Sequence, residues 1–153
     1  MRLDPAIGAP ARGAMLGPMQ REPLVLVVDD DADCRALLVE TLALAKVHAI
    51  GCASGEEALA HAKKQVPTVV VTDLHMPPGT DGVHLARACA AMTPRPFVLA
   101  QTGDARVGPE TWGAFDGLLT KPTDPLEVAA VVVRVLRTRP TPPARWWDWL
   151  GGR

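Results

Sequence analysis

The sequence predicts an α/β fold in which five short parallel strands form one sheet and helices cover both of its faces. Five apolar segments of four to seven residues recur along the chain, and segments with helical character separate them. Such alternation is typical of a parallel sheet, because parallel strands need a helical crossover between them. The length of 153 residues suits one such domain with tails.

The first strand and helix begin at Leu24. The apolar run Leu24–Val28 stops at Asp29 and is typical of a strand that is buried on both faces. A helix follows, because apolar and small residues recur there at the spacing of one helical face. The predicted buried stripe of this helix contains Cys34, Leu37, Leu38, Thr41, Leu42 and Ala45.

The second and third strands show the same organisation. The segment Val47–Ala53 predicts a weaker strand, and Ser54 and Glu57 after it fit a capping box at the start of a helix. The segment Thr68–Thr72 predicts a third buried strand, which again stops at an aspartate, Asp73.

The fourth strand is followed by a weak helical segment. After a loop of Pro and Gly, Asp81–Met92 predicts a helix, and Phe97–Ala100 predicts a strand that leads to Thr102. In the segment 104–116, three residues interrupt any helix, namely Gly108, Pro109 and Gly113. We therefore expect the fourth helix to be short or irregular.

The last strand and helix complete the series. Gly117–Thr120 predicts a short strand that ends at Lys121, and Asp124 followed by Pro125 is typical of a helix start. The predicted buried stripe of this helix contains Leu126, Ala129, Ala130, Val133 and Leu136. Five strands with this connectivity fit the flavodoxin-like order 2-1-3-4-5, with a ligand site at the carboxyl ends of strands 1 and 3.

Polar side chains at the strand ends predict a metal site. Asp29 and Asp30 follow the first strand and Asp73 follows the third, so their carboxylates converge in this strand order. Close carboxylates repel one another unless a cation joins them, and hard oxygen ligands at an open site suit Mg²⁺. Thr102 and Lys121 add a hydroxyl and a cation at the same edge.

The charge distribution divides the chain into an acidic body and a basic end. Residues 24–133 carry 8 basic and 14 acidic side chains, whereas residues 134–153 carry 5 basic and 1 acidic side chain. Four prolines and three glycines in residues 1–23 predict a disordered leader there, followed by a folded domain over 24–138 and a Pro/Trp/Arg-rich tail over 139–153. Met15 and Met19 are alternative starts, so the true start codon is open.

Composition also excludes some classes of protein. The formal net charge of −1 argues against direct nucleic-acid binding by bulk charge. No apolar run is long enough for a transmembrane helix, so no membrane-spanning segment is expected and association with a membrane is disfavoured. Three well-separated cysteines argue against a secreted disulfide framework and favour the cytoplasm.

The tail over 139–153 allows three interpretations. It contains Trp146, Trp147 and Trp149 beside Arg145, and such residues are common in docking segments. The tail could dock on a partner or on its own domain, attach shallowly to a membrane surface, or remain a solvated extension.

The motifs at the strand ends resemble those of the receiver domain of two-component response regulators. The resemblance covers about residues 24–137 and depends on four motifs in the right order. They are Val25–Asp30, Asp73–Pro77 with Asp81 and Gly82 after it, Thr102-Gly103, and Lys121-Pro122.

This resemblance implies a role for each residue of the site. Asp73 corresponds to the phosphoacceptor, and Asp29 and Asp30 correspond to the acidic pair that holds Mg²⁺ together with Asp73, with Asp30 as the more direct ligand. The backbone carbonyl of His75 would complete the protein ligands. Thr102 corresponds to the switch hydroxyl and Lys121 to the lysine that pairs with the phosphoryl group.

The resemblance also implies partners. The phosphoryl donor would be a histidine kinase or a histidine phosphotransfer protein, and the output would pass to a downstream protein target. Such a protein catalyses its own phosphorylation and dephosphorylation only. Because 16 residues follow position 137, too few for an effector domain, we expect a stand-alone receiver or a phosphorelay shuttle.

The sequence departs from the family pattern at three places. The loop Met76–Gly82 is one residue longer than the commonest version, and Leu118 stands where the family usually has an aromatic residue. The fourth helix is predicted to be short. The last two departures concern the usual output surface rather than the phosphorylation site.

Two alternatives remain. One is a receiver-like interaction module that is not phosphorylated, for which Leu118 leaves room. The other is a phosphatase of the haloacid-dehalogenase type, whose DxD motif is followed two positions later by Thr or Val. Here Asp29 and Asp31 are followed by Asp33, which does not match.

Overall fold

The computed structural model describes residues 22–76, 81–103, 106 and 108–138. The strands are β1 (Val25–Val28), β2 (Ala49–Cys52), β3 (Val69–Asp73), β4 (Phe97–Thr102) and β5 (Gly117–Thr120). The helices are α1 (Ala32–Leu44), α2 (Gly55–Lys64), α3 (Gly82–Ala90), α4 (Pro109–Trp112) and α5 (Pro125–Thr138).

The five strands form one parallel sheet in the order β2-β1-β3-β4-β5. Val28 at the end of β1 lies opposite Cys52 on one side and Thr72 on the other. Asp73 at the end of β3 lies opposite Gln101. This order confirms the predicted flavodoxin-like fold, and its switch point falls between β1 and β3 as expected.

Two apolar cores lie on the two faces of the sheet. Because successive strand residues point to opposite faces, Leu26 and Val28 belong to one core, and Val25 and Val27 belong to the other. Side chains from α2 and α3 complete the first core, and side chains from α1 and α5 complete the second. The sheet is therefore covered by helices on both faces.

The predicted helix starts are confirmed. Ser54 accepts a hydrogen bond from the backbone N–H of Glu57, and the Glu57 carboxylate accepts one from the N–H of Ala53. The Asp124 carboxylate accepts a hydrogen bond from the N–H of Leu126, in the first turn of α5. These caps satisfy backbone donors that have no partner within the helix.

The predicted buried stripe of α1 is wrong in part. Leu38 and Leu42 are buried as expected, but Cys34 is exposed and Leu37 is 52% exposed. Apolar residues occur on nearly every face of this helix, so their spacing alone does not select the buried face. Contact with the sheet and with α5 selects it instead.

The predicted buried stripe of α5 is also wrong in part, for the same reason. Ala129 is buried as predicted, but Leu126 is 69% exposed and Ala130 is exposed. The buried residues of this helix are Val128, Ala129, Val131, Val132 and Val135. The continuous run of valines and alanines fits more than one helical face, and packing against β3 and α1 decides between them.

The fourth helix is short, as predicted. Helix α4 has four residues, Pro109–Trp112, and Gly113 is its C-cap. The connection between β4 and β5 thus contains a single helical turn among its described residues.

The tails and most of one loop lie outside the described residues. The predicted leader over 1–23 is described only at residues 22 and 23, and the tail over 139–153 is not described. The same holds for residues 77–80 of the loop Met76–Gly82. Within the described part, no helix has the length and apolar character needed to cross a membrane.

Candidate functional site

Four strand ends bring the predicted site residues to one edge of the sheet. Asp29 follows β1, Asp73 is the last residue of β3, Thr102 is the last residue of β4, and Lys121 follows β5. Because β1 pairs with β3, β3 with β4 and β4 with β5, all in parallel, these residues lie at the same edge of the sheet. The parallel register therefore builds the site.

Three carboxylates form a cluster at this edge. One oxygen each from Asp29, Asp30 and Asp73 lies within 4.8 Å of the others. Asp29 is buried, with 5% of its surface exposed, whereas Asp73 is half-buried and Asp30 is exposed. Such a set of hard oxygen donors, open to solvent on one side, fits a divalent cation of the Mg²⁺ type.

The side chain of Lys121 extends from the end of β5 to the carboxylate cluster. Its Nζ lies 3.1 Å from Oδ2 of Asp73 and 3.6 Å from Oδ2 of Asp29. Partial burial disfavours the charged ammonium, but the hydrogen bond to Asp73 and the two negative charges outweigh this, so the pKa of Lys121 is raised. The lysine is therefore a fixed cation beside Asp73 at neutral pH.

Asp29 is held from several directions. Its Oδ1 accepts a hydrogen bond of 2.9 Å from the N–H of Asp31, and its backbone carbonyl accepts one of 2.7 Å from Nη1 of Arg35. Burial raises the pKa of Asp29, although the Asp31 N–H and the charge of Lys121 oppose the shift. A bound cation would offset this cost of burying a carboxylate.

Arg35 belongs to the site although its role was not predicted from the sequence. It lies in the first turns of α1, and its side chain packs over Gly51 of β2, where a Cβ on the glycine would lie 3.0 Å from the arginine Cγ. The only sequence signal is weak: a basic residue near a helix N-terminus, where the helix dipole favours acidic ones.

Asp73 receives backbone contacts as well. Its Oδ1 lies 3.4 Å from the N–H of His75, whose side chain is exposed. The role of the His75 carbonyl as a metal ligand stays a prediction. On the next strand, Thr102 is buried at 1% exposure, and its carbonyl accepts a 2.7 Å hydrogen bond from the N–H of Lys121.

Gly82 allows α3 to approach the site closely. A Cβ at this position would lie 2.5 Å from the carbonyl oxygen of Asp73 and 3.0 Å from Cα of Leu74. The N–H of Gly82 donates to the carbonyl of Leu74 at 3.2 Å. Only glycine permits this contact, which explains the Asp81-Gly82 motif in physical terms.

A cavity of about 520 Å³ lies beside the site, between β4, α1 and the start of α5. Within it, Nε2 of Gln101 donates to Oγ1 of Thr123 at 2.6 Å. This pair was not predicted from the sequence. Its two residues are 22 positions apart, and no spacing along the chain indicates that they meet.

The cavity wall also contains Cys34, which is exposed. The other two thiols are buried, and burial raises the pKa of Cys52 to about 12 and that of Cys89 to about 11. All three cysteines are free thiols in the structure.

Comparison with known proteins indicates one family. The model of the response regulator receiver domain family matches residues 25–133. A probable transcriptional regulator, ycf27 of Porphyridium aerugineum, is 36% identical over 123 residues, which are 78% of this chain and 50% of that protein. The DNA-binding transcriptional regulator NtrC of Salmonella typhimurium is 37% identical over 122 residues, 77% of this chain and 25% of that protein. The chain thus spans half or less of the length of these curated relatives.

Solved structures show the same architecture over whole domains. The chemotaxis protein CheY4 of Vibrio cholerae matches with a TM-score of 0.66 and 28% identity, over 75% of this chain and 99% of that one. The receiver domain of DrrB activated by BeF3 matches with a TM-score of 0.67 and 26% identity, over 76% of this chain and 99% of that one.

Proposed function

The chain belongs to the response regulator receiver domain family, and on this premise we propose that it accepts a phosphoryl group on Asp73. The observation that carries the proposal is the placement of Asp73 between Lys121, 3.1 Å away, and the carboxylates of Asp29 and Asp30. The protein then serves as a switch in a two-component system or phosphorelay.

The acidic cluster would hold Mg²⁺ through Asp29, Asp30 and Asp73, with the backbone carbonyl of His75 as a further ligand. When bound, Mg²⁺ supplies a Lewis acid that neutralises negative charge on the phosphoryl oxygens. The residues fit this ion because they offer oxygen donors only, and because the exposure of Asp30 leaves room for water and phosphate oxygens.

In the proposed transfer reaction, Asp73 is the nucleophile. A carboxylate oxygen attacks the phosphorus of a phosphohistidine, an O–P bond forms, and the P–N bond breaks as the imidazole leaves and takes up a proton. Lys121 lies where it can pair with a phosphoryl oxygen as the charge moves onto it. Transfer is thus catalysed largely by positioning and charge.

Phosphorylation would change the contacts at β4 and β5. The phosphoryl group brings a charge of roughly −1.5 to −2, so Lys121 exchanges its Asp73 partner for a phosphoryl oxygen. The hydroxyl of Thr102 would turn toward the same group. Since Thr102 and Lys121 end neighbouring strands, both movements reach the surface formed by β4, α4 and β5.

The proposed partners are proteins. A histidine kinase or a histidine phosphotransfer protein would supply the phosphoryl group in the cytoplasm, and a downstream protein would bind the switched surface. DNA binding is named for relatives such as NtrC, of which this chain spans 25%. For this chain we propose no direct nucleic-acid contact and no catalysis beyond its own phosphorylation and dephosphorylation.

One observation favours a second candidate, a receiver-like module that works without phosphorylation. Leu118 is buried at the position where the family usually has an aromatic residue, so the usual coupling to Thr102 is altered. The phosphatase alternative is weaker, because the carboxylate of Asp31 caps α1 by accepting from the N–H groups of Asp33 and Cys34.

Phosphorylation by acetyl phosphate with Mg²⁺ tests the proposal. We expect intact-mass spectrometry to show one added phosphoryl group on the wild type, none on Asp73→Asn, and none when a chelator removes the metal. Asp33→Asn is the matched control, because it removes an exposed carboxylate of the first α1 turn outside the cluster. If Asp73→Asn gains the same mass, or the wild type gains none, the non-phosphorylated module is the better description.

A further inference from the structure

An apolar groove runs along the outer side of α1 and α5. It has a volume of about 670 Å³, and its walls include Leu44, Leu126, Ala130 and Val133. Leu44 is 85% exposed and Leu126 is 69% exposed, an unusual state for large aliphatic side chains. Neighbouring exposed apolar residues of this kind are typical of a binding surface.

The rim of the groove is basic. Arg134 and Arg137 extend from the last turns of α5, and both side chains are exposed. Guanidinium groups attract the faces of aromatic rings and pair with carboxylates. The groove therefore favours a segment that combines large aromatic residues with an acidic residue.

Such a segment continues directly from the groove. Thr138, the last described residue of α5, is itself part of the groove wall. Residues 139–153 follow it, and they contain Trp146, Trp147 and Trp149 around Asp148. The tryptophans of the tail thus complement the aliphatic walls of the groove, and Asp148 is the one acidic residue of the tail that can pair with the arginines of the rim.

The tail is long enough to reach every part of the groove. The helix from Leu126 to Thr138 covers about 18 Å at the rise of an α-helix. The seven residues 139–145 reach roughly 22 Å at the rise of an extended, proline-rich segment, and three of them are prolines. Trp146 can therefore lie anywhere between the end and the beginning of α5.

We propose that residues 139–153 fold back and pack their tryptophans into the α1–α5 groove of the same molecule. The groove is lined by ten residues, whereas a stable protein–protein interface uses about 20–30 residues on each side. Its size thus suits a short peptide better than the face of a second copy. A short tether also holds the tail at a local concentration of roughly millimolar.

Tryptophan fluorescence of the full chain tests this contact. Trp112 is the only tryptophan outside the tail, so a Trp112→Phe background leaves emission from the tail alone. We expect a blue-shifted maximum and severalfold weaker acrylamide quenching than for a peptide of residues 139–153, at every protein concentration. Both effects require indoles that are shielded from water.

A groove variant and a matched control locate the contact. Leu44→Glu with Leu126→Glu places two carboxylates at exposed groove positions, and we expect emission and quenching to become those of the peptide. Ala60→Glu with Ala90→Glu makes the same charge change at exposed positions of α2 and α3, and should leave the spectrum unchanged. Thermal unfolding followed by circular dichroism checks that both variants fold.

Three results would overturn the proposal. The first is a full chain whose tail tryptophans emit like those of the free peptide. If anionic vesicles then shift this emission, the tail binds membranes rather than the groove. The second is a blue shift that persists in the groove variant. The third is a shift that depends on concentration and accompanies dimer sedimentation, because the tail would then occupy a second copy.

Discussion

The two halves of the sheet edge differ in how firmly they hold their residues. On the β1–β3 half, Asp29 and Asp73 receive contacts from backbone N–H groups, Arg35 and Lys121. On the β4–β5 half, the connection carries a single helical turn among its described residues, and Leu118 takes the place of the usual aromatic residue. The half that would accept the phosphoryl group is thus closely braced, and the half that would transmit the signal departs most from its family.

Replacing Lys121 is expected to have the largest effect on this comparison, because Lys121 joins the two halves. We expect Lys121→Met to retain Mg²⁺ binding but to slow phosphorylation by about 10²-fold, as when one charge-stabilising donor is removed from an active site. Phosphorylation kinetics with acetyl phosphate measure this. Equal rates for wild type and variant would show that the β1–β3 half works alone.

The difference in phosphorylation rate between the wild type and Lys121→Met should depend on pH with a definite sign. The pKa of Lys121 is raised, so its charge is fully present below the ordinary lysine value and is lost only as the pH rises through the higher one. We therefore expect the ratio of wild-type to variant rate to stay constant across neutral pH. It should fall only in strongly alkaline solution.

Two glycine substitutions compare the halves directly. In Gly82→Ala the new methyl group would lie 2.5 Å from the Asp73 carbonyl, so the backbone must move. We expect phosphorylation to slow about tenfold and the free energy of unfolding to fall by about 1–3 kcal/mol. Gly108→Ala before α4 has nothing within 4 Å of its new methyl group and should change neither quantity measurably.

Arg35→Met tests how firmly Asp29 is braced. The substitution removes the 2.7 Å hydrogen bond to the Asp29 carbonyl while keeping an apolar side chain over Gly51. A charged hydrogen bond of this kind contributes about 1.5–3 kcal/mol, so Mg²⁺ affinity should fall by about 10- to 100-fold. Arg87→Met on the exposed side of α3 is the control. Unchanged affinity in titration calorimetry would remove Arg35 from the site.

Leu118→Phe is expected to have the smallest effect on phosphorylation. Leu118 is buried, so the larger ring should lower the free energy of unfolding by about 1–3 kcal/mol while the rate changes less than about twofold. Urea unfolding and acetyl phosphate kinetics measure the two quantities. A large change in rate would mean that the β4–β5 half controls the chemistry as well as the output.

The positions of the site residues could be predicted because strand ends determine them. The short apolar runs stop at or just before Asp29, Asp73, Thr102 and Lys121, and parallel pairing brings such ends together whatever the details of packing. The chemical role of each side chain stays a prediction that the experiments above can check.

The outer surface was harder to predict. Helices α1 and α5 carry apolar residues on several faces. The spacing of these residues predicted that Leu37 and Leu126 are buried, but both are exposed in the structure. Arg35 was missed because its contact with the Asp29 carbonyl depends on how α1 lies across β2. Tertiary packing decides which helix face is buried and which distant residues meet. The periodicity of the sequence alone does not show how the helices pack.

The hydrogen bond from the N–H of Gly82 to the carbonyl of Leu74 has a consequence for how this family can diversify. It ties Gly82, at the end of the Met76–Gly82 loop, to Leu74, which directly follows Asp73. The entropy of closing a loop rises only slowly with its length, so an added residue between the tied ends costs little. Insertions can thus accumulate next to the proposed phosphorylation site while the position of the aspartate stays the same.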